Sequence, residues 1–153
     1  MHRSLSIVIP ILIAGLSIAL WAVMNQPSNE PPWPKRIQGY SFQPMRADQD
    51  PSRQIYPSLA EIDEDLALLQ GEAHAIRTYS VDGPLGQVPR LASERGLNVS
   101  LGAWIGPEAD ANEAELERLI TILREPHRNI VRVFVGNEAI LREDVKVAEL
   151  REA

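Results

Sequence analysis

The sequence predicts an α/β fold with a parallel sheet, preceded by one long apolar helix. Two observations predict the sheet. Short apolar runs alternate with helix-period segments four times after residue 36, and most of these runs lack the polar alternation of a half-exposed strand. One observation predicts the helix, since the twenty residues 5–24 contain no charged side chain. The 153-residue chain therefore has one modest folded domain behind an apolar segment.

The apolar segment 5–24 is long enough to cross a bilayer, because about 20 helical residues span roughly 30 Å. Arg3 precedes it and no further positive charge occurs before Lys35, so the positive-inside rule places residues 1–4 in the cytoplasm. A cleaved signal peptide is the alternative, but the run is longer than a typical signal core and no clear Ala-x-Ala site follows. We expect an uncleaved single-pass anchor, with the following domain periplasmic or extracellular.

The segment 25–35 contains four prolines, one tryptophan and no aliphatic side chain. This composition is typical of a semi-extended spacer. The sequence thus predicts a Pro-rich linker over residues 25–35 and a folded domain over residues 36–153.

Four strand-helix units make up the predicted domain. The strand patterns are IQGYSF, AIRTYSV, NVSLGAWIG and IVRVFVG, which start at Ile37, Ala75, Asn98 and Ile130. The helix patterns are SLAEIDEDLALLQG, PRLASERG, NEAELERLITILRE and REDVKVAELREA, which start at Ser58, Pro89, Asn112 and Arg142. Buried strands separated by helices indicate a parallel sheet with right-handed crossovers.

Local signals mark the helix starts. Ser58 followed by Glu61 predicts a capping box at the first helix of the domain, and Asn112 followed by Glu115 predicts the same device at the third. Pro89 is tolerated only in a first turn, so the second helix is expected to start at or just before it.

Two groups of charged side chains are assigned to structure rather than to chemistry. In RADQDP, Asp48 and Asp50 are expected to form a turn and to pair with Arg46. The acidic side of EIDEDLALL, residues 61–69, is expected to be a solvated helix face.

The choice between an open sheet and a barrel depends on the strand ends. The loop GYSFQPMRADQDP contains neither G-x-G-x-x-G nor a P-loop, so a nucleotide-binding open sheet lacks its best marker. Polar and aromatic residues gather instead at strand ends: Tyr40, Arg46, Asp48, Tyr79, Asp82, Trp104, Asn137 and Glu138. A (β/α)₈ barrel builds its active site there. The sequence therefore predicts the N-terminal half, about four βα units, of a TIM (β/α)₈ barrel.

Composition excludes several function classes. A net charge of −6, with 15 basic residues scattered among 21 acids, gives no electrostatic footprint for nucleic acid. The chain has no cysteine, which excludes disulfides and thiolate chemistry. The three histidines are far apart and lack metal-ligand spacing, so we predict no metal and no cofactor.

The segments RTYSVDGPLG, LGAWIG and VFVGNEAILRED, together with GYSFQPMRADQDP, resemble glycoside hydrolase family 17, the β-1,3-glucanase family, in its bacterial membrane-linked branch. The resemblance extends from Ile37 to about Leu150. It implies a (β/α)₈ barrel acting on β-glucan, in which the glutamate of the Asn-Glu pair after strand four is the general acid/base. By position that residue is Glu138, and Asn137 is expected to hydrogen-bond the sugar 2-hydroxyl.

The residue types agree with this chemistry. A glycosidic oxygen is a poor leaving group that must be protonated as the bond breaks, which a carboxylic acid can do. Tyr40, Tyr79 and Trp104 offer flat faces for pyranose rings, and Asp82 is a candidate to hold a hydroxyl. Arg77 lies inside the second strand, where it is expected to anchor nearby carboxylates.

A retaining glycosidase also needs a nucleophilic carboxylate about 5–5.5 Å from the acid. The resemblance puts it on strand seven, whereas only four strands are predicted here and a barrel takes roughly 250 residues. We expect the N-terminal half of a larger enzyme, and we expect residues 35–153 alone to self-associate as half-barrels or to aggregate. Two functions stay open. One is an anchored enzyme that hydrolyses or transfers β-1,3-glucan, and the other is a non-catalytic glucan-binding or vestigial half-barrel.

Overall fold

A four-stranded parallel sheet organises the folded part of the chain. Its strands are β1 (Tyr40–Ser41), β2 (Ala75–Arg77), β3 (Asn98–Ala103) and β4 (Ile130–Val135). They lie side by side in chain order, and each neighbouring pair is parallel. The predicted α/β class with a parallel sheet is confirmed.

The computed structural model describes residues 2–27 and 31–152. Residue 1 of the predicted cytoplasmic end, residues 28–30 of the predicted linker and residue 153 lie outside the described residues. The helices are α1 (His2–Met24), α2 (Leu59–Leu69), α3 (Val88–Glu94), α4 (Ala109–Arg124) and α5 (Val147–Glu152), with 3₁₀ turns at Pro51–Arg53 and Gly83–Gln87. The chain divides into two compact units, residues 1–33 and 34–153.

Helix α1 forms the first unit. Its stretch Ile7–Met24 is long and apolar enough to cross a membrane. A signal sequence near the N-terminus has the same properties. The uncleaved anchor and its orientation therefore stay predictions.

Two predicted helix starts are confirmed. At α2 the Glu61 amide donates to Ser58 Oγ over 3.3 Å, and the Ser58 amide donates to Glu61 Oε2 over 2.7 Å, which completes the capping box. The Ser58 amide and the Ser58 hydroxyl, which both donate to Glu61 Oε2, hold the pKa of Glu61 below its usual value. Helix α3 begins at Val88, with Pro89 in its first turn.

The predicted cap of α4 is wrong. The helix begins at Ala109, three residues before Asn112, and no side chain caps it. Asn112 instead makes two hydrogen bonds to the backbone of Gly106 in the preceding loop. Its Oδ1 accepts from the Gly106 amide and its Nδ2 donates to the Gly106 carbonyl, each over 2.8 Å. Glu115 consequently lies inside the helix and is buried.

The core lies between the sheet and helices α2, α3 and α4. Its side chains come from helix stripes and from one face of the strands, and include Ile62, Leu66, Ile76, Leu91, Val99, Leu101 and Leu119. Burial of one such side chain contributes about 1.5–3 kcal/mol. This layer fixes the strands and hence the loops that follow them.

Strand β4 is more exposed than its apolar sequence predicts. Val133 is paired in register with the buried Leu101, and Val135 with the buried Ala103, so these valines share the face that the core covers elsewhere. Their exposures are nevertheless 38% and 36%, and Val131 reaches 58%. The expectation of a strand buried on both sides is wrong for β4, since among the described residues none of its six side chains is buried.

The partners predicted for Arg46 are also wrong. Its guanidinium pairs with Asp65 of α2 at 2.7 Å, which raises the arginine pKa. Asp50 does form a turn, as its Oδ1 accepts from the Ser52 amide over 3.0 Å. The acidic side of α2 therefore binds an arginine from the loop after β1 and is not simply solvated.

A second arginine binds the same helix. Arg95, just after α3, pairs with Asp63 at 2.6 Å, and this hydrogen bond lowers the pKa of Asp63. The two pairs attach α2 both to the β1 loop and to α3.

Candidate functional site

A cleft of about 750 Å³ lies at the carboxyl ends of the strands. All four loops that follow the strands contribute to its wall, through residues 42–45, 78–80, 82, 104, 106–108 and Asn137. Helix α4 closes one side with Ala111, Asn112, Glu115 and Arg118. Parallel α/β folds bind their ligands at this end of the sheet.

The structure brings together four of the six predicted site residues. Tyr79, Asp82, Trp104 and Asn137 line the cleft. Glu138 follows Asn137 in the chain but is exposed and does not line the cleft.

Tyr40 lies apart from the other predicted aromatics. It is paired in register with the buried Ile76, whereas its neighbour Ser41 is paired with Arg77. Successive side chains of a strand point to opposite faces, so Tyr40 lies on the core side of the sheet and Ser41 on the Arg77 side. Tyr40 is not part of the cleft wall.

The amide of Asn137 is oriented by Arg77. Arg77 Nη2 donates to Asn137 Oδ1 over 3.0 Å. A guanidinium has only donors, so the oxygen must face it, and Nδ2 occupies the other branch of the amide. Asn137 can therefore offer an N–H to a ligand in the cleft.

Arg77 itself is held by two aromatic rings. Its Cζ lies 5.1 Å from the ring centroid of Tyr79 and 4.7 Å from that of Phe134. The sequence predicted carboxylate partners for this arginine, and the structure corrects this to an amide and two rings. Each cation–π contact contributes about 0.5–1 kcal/mol at an exposed site, and more when desolvated.

The backbone around Asn137 is unusual on both sides. Gly136 has φ +76° and continues the ladder by donating to the Ala103 carbonyl over 2.9 Å. Glu138 has φ +55°, a left-handed conformation that costs a non-glycine residue about 1 kcal/mol or more. These two positive φ values turn the chain away from the sheet at Asn137 and Glu138.

Two aromatic side chains border the cleft. Tyr79 donates its hydroxyl to Ser41 Oγ over 2.8 Å, which fixes the ring between the ends of β1 and β2. Trp104 follows β3 directly and is 42% exposed, so part of its indole is accessible to a ligand.

The buried carboxylate of Glu115 binds backbone amides of the cleft wall. Glu115 Oε1 accepts from the Val81 amide over 2.8 Å and from the Trp104 amide over 3.0 Å. Arg118 Nη2 lies 3.5 Å from Glu115 Oε2. One side chain of α4 thus joins the loops that follow β2 and β3.

Asp82 belongs to the same polar group. Its Oδ2 accepts from the Tyr56 hydroxyl, and its Oδ1 lies 2.9 Å from Arg118 Nη2. Burial, and the hydrogen bond to Asp82, raise the pKa of Tyr56 to about 12. Both oxygens of Asp82 therefore have protein partners.

Sequence reasoning missed Tyr56, Glu115 and Arg118. One signal could have indicated Glu115, because it stands four residues before Leu119 in the buried stripe of α4, where an acid needs a polar partner. Within the ranges 2–27 and 31–152, no group of three His, Cys, Asp or Glu side chains is placed to hold a metal ion.

Comparison with known proteins gives matches over part of the chain. A glucan 1,3-β-glucosidase from Candida albicans is 36% identical over 90 residues, covering 56% of this chain and 29% of the relative. A glucan endo-1,3-β-glucosidase from Emericella nidulans is 26% identical over 123 residues, covering 76% of this chain and 19% of the relative. The chain thus spans less than a third of the length of either relative. No protein-family model matches it.

Two solved structures share the fold. One is an active-site mutant of Rhizomucor miehei β-1,3-glucanosyltransferase in complex with laminaritriose, with a TM-score of 0.59 at 19% identity. The other is the glycoside hydrolase family 17 β-1,3-glucanosyltransferase from the same organism, with a TM-score of 0.58 at 19% identity. Each match covers 72% of this chain and 40% of the solved chain. The resemblance to family 17 is confirmed as a similarity over part of the length, and the predicted barrel-type α/β fold is confirmed.

Proposed function

We propose that this chain forms a β-1,3-glucan-binding cleft and carries the general acid/base of a carbohydrate-active protein, Glu138. One observation carries the proposal. Asn137 lines the cleft with its amide oriented by Arg77, and Glu138 is the next residue in the chain. The matches to glucan 1,3-β-glucosidases support glucan as the ligand class.

Each cleft residue has a role in sugar binding. The Trp104 indole provides an apolar face for a pyranose ring, and Tyr79 provides a second. Asn137 Nδ2 donates to a sugar 2-hydroxyl, a contact that strengthens in an oxocarbenium-like transition state. Asp82 offers acceptor lone pairs beyond the bonds it makes to Tyr56 and Arg118.

Glu138 supplies the proton in the reaction. As the C–O bond breaks, its carboxylic acid protonates the departing glycosidic oxygen, and its carboxylate later takes a proton from water or from an acceptor sugar hydroxyl. Water gives hydrolysis and a sugar hydroxyl gives glucan transfer.

The nucleophile of a retaining reaction is assigned to neither Asp82 nor Glu115. Both line the cleft, but Glu115 accepts two backbone amides, and Asp82 is held by Tyr56 and Arg118. The acid/base function of Glu138 then requires a second carboxylate beyond these two. We therefore propose that the chain acts as the acid/base half of a larger barrel.

We propose further that α1 anchors the domain to a membrane, with residues 1–4 cytoplasmic and the cleft on the periplasmic or extracellular side. The length and apolar composition of Ile7–Met24 support this. Protease added to cells whose outer layers have been opened while the plasma membrane stays intact should digest the domain, and without protease the domain should stay in the membrane fraction. A domain protected from protease would contradict the orientation, and a soluble, shortened domain would indicate a cleaved signal peptide.

The test of the catalytic role is product analysis with laminari-oligosaccharides. We expect turnover by the full chain, or by a longer chain that contains it, to disappear in Glu138→Gln. Glu143→Gln is the matched control, because Glu143 is also exposed and also has a left-handed φ, +61°. Turnover that survives Glu138→Gln would refute the assignment.

The second candidate function is glucan binding without catalysis. The observation that favours it is that Glu138 is exposed and does not line the cleft. In this case laminari-oligosaccharides bind the chain and its Glu138→Gln variant equally, and no products form with either.

A further inference from the structure

Arg142 connects the turn that carries Asn137 and Glu138 to the loop after β3. Its Nη1 donates to the Asn137 carbonyl, and its Nη2 donates to the Ile105 carbonyl over 3.0 Å. Residues 105 and 137 follow neighbouring strands, so one guanidinium bridges the two strand ends that border the cleft.

The same guanidinium stacks on the predicted sugar platform. Arg142 Cζ lies 4.1 Å from the ring centroid of Trp104. This face-on contact limits how the indole can tilt, because the guanidinium is itself fixed by its hydrogen bonds.

Asp144 completes the arrangement. Its Oδ2 lies 2.7 Å from Arg142 Nε and 2.7 Å from Nη2. The side chains of Arg142 and Asp144 are only 27% and 18% exposed, so this is not a freely solvated surface pair. All three guanidinium nitrogens therefore have protein partners.

The backbone closes the turn from the other side. The Arg142 amide donates to the Glu138 carbonyl over 2.9 Å, and the Asp144 amide donates to the carbonyl of the buried Ala139 over 3.0 Å. The turn, residues 136–144, is thus a closed unit whose one arginine reaches back to Asn137 and across to Trp104.

We infer that Arg142 is a positioning residue that couples the Trp104 platform to the turn bearing Asn137 and Glu138. The inference rests on the proposed function of the cleft. The Asn137 amide and the Glu138 acid are then already positioned relative to a sugar that is bound against Trp104. Movement of the Trp104 ring disturbs the turn, and movement of the turn disturbs the ring. A lysine cannot replace the arginine, because a point ammonium lacks the planar fork that reaches two carbonyls, a carboxylate and a ring at once.

The test uses the full chain with Trp21→Phe and Trp33→Phe, so that Trp104 is the remaining tryptophan of the three. Arg142→Lys is introduced into this background. Arg90→Gln is the matched control, because Arg90 loses an exposed 2.6 Å pair with Glu94 that lies outside the cleft. The readouts are laminaritriose affinity from Trp104 fluorescence, and hydrogen exchange of the amides of residues 136–144.

We expect Arg142→Lys to raise the laminaritriose Kd about tenfold and to speed exchange in residues 136–144, because hydrogen bonds to a charged group are lost. Trp104→Ala should speed exchange in the same segment without any sugar. Arg90→Gln should change the Kd by no more than about twofold and leave the exchange unchanged. If Arg142→Lys fails to fold by circular dichroism, Asp144→Asn is used instead, since it loosens the arginine without removing it.

Two results distinguish the inference from the function on which it rests. If the background chain binds laminaritriose and Arg142→Lys matches it in affinity and exchange, the coupling is refuted and the proposed function stands. If the background chain does not bind laminaritriose, the proposed function fails, and the sugar-free exchange of Arg142→Lys and Trp104→Ala still decides the coupling. Unchanged exchange in both variants would overturn it.

Discussion

The buried carboxylate of Glu115 accepts a hydrogen bond from the backbone amide of Trp104 over 3.0 Å. The same oxygen accepts from the Val81 amide over 2.8 Å. One helix residue therefore fixes the backbone at two places on the cleft wall, beside the indole of Trp104 and beside Asp82. The position of the candidate sugar platform depends on α4 as well as on the sheet.

We predict that Glu115→Ala lowers the free energy of unfolding by about 3 kcal/mol, because it leaves the buried Val81 amide and the half-buried Trp104 amide without an acceptor. Urea unfolding measures the change. Glu117→Ala is the matched control on the exposed side of α4 and should stay within about 0.5 kcal/mol of the parent chain. Equal stability of the two variants would contradict a structural role for the carboxylate.

Tyr56 should make stability fall at alkaline pH. Burial and the bond to Asp82 raise its pKa from 10.0 to about 12 in the folded chain, so between these values the unfolded state loses the proton and the folded state keeps it. The contribution is complete below pH 10 and is lost as the pH rises toward about 12. Tyr56→Phe should flatten this part of the stability curve, and near-ultraviolet absorbance should show one fewer late-titrating tyrosine. An unchanged curve would refute the raised pKa.

The capping box gives a prediction at acid pH. Ser58→Ala should cost about 1 kcal/mol near neutral pH, because it removes the side-chain cap of α2. The backbone amide and then the hydroxyl of Ser58 donate to Glu61 and lower its pKa, and Ser58→Ala removes only the hydroxyl. The contribution of the hydroxyl exists above the usual glutamate pKa and disappears as the pH falls through the lowered value. The penalty of Ser58→Ala should therefore shrink in acid. Ser93→Ala, an exposed serine within α3, should show no such pH dependence.

The exposed face of β4 should promote self-association. Residues 35–153 are expected to dimerise or aggregate through this edge, because β4 is the last strand of the sheet and its Val131, Val133 and Val135 are exposed. Val133→Lys should reduce association in analytical ultracentrifugation, whereas Leu68→Lys, at an exposed leucine of α2, should not. A soluble, cooperatively unfolding monomer of residues 35–153 would contradict the prediction.

Local signals predicted much of the fold. The alternation of apolar runs with helix-period segments predicts the parallel sheet, and Ser58 with Glu61 predicts the start of α2. Each of these patterns can be recognised from residues that are close together in the sequence. Contacts between distant segments were not predictable in this way. The Arg77–Asn137 bond joins residues 60 positions apart, and only the strand register brings them together.

The wrong predictions also concern contacts that the local sequence pattern does not determine. Asn112 has the residue type of a helix cap, but the loop at Gly106 offers it two backbone partners and the helix starts earlier. The apolar residues of β4 predict that the strand is buried, yet its burial depends on which elements cover it. For the site, the motif predicted Asn137, which lines the cleft, whereas the support from Glu115 and Arg142 arises from the packing of loops against α4 and against each other.

Titration calorimetry of the full chain with laminari-oligosaccharides tests most directly whether the cleft binds glucan. We expect saturable binding that weakens about tenfold or more in Trp104→Ala, since a desolvated aromatic anchor commonly dominates such contacts. Glu138→Gln should bind as the parent does. Trp33→Ala, an 83% exposed tryptophan outside the cleft, should also leave the affinity unchanged. No binding, or equal losses in Trp104→Ala and Trp33→Ala, would contradict a glucan-binding cleft at the ends of these strands.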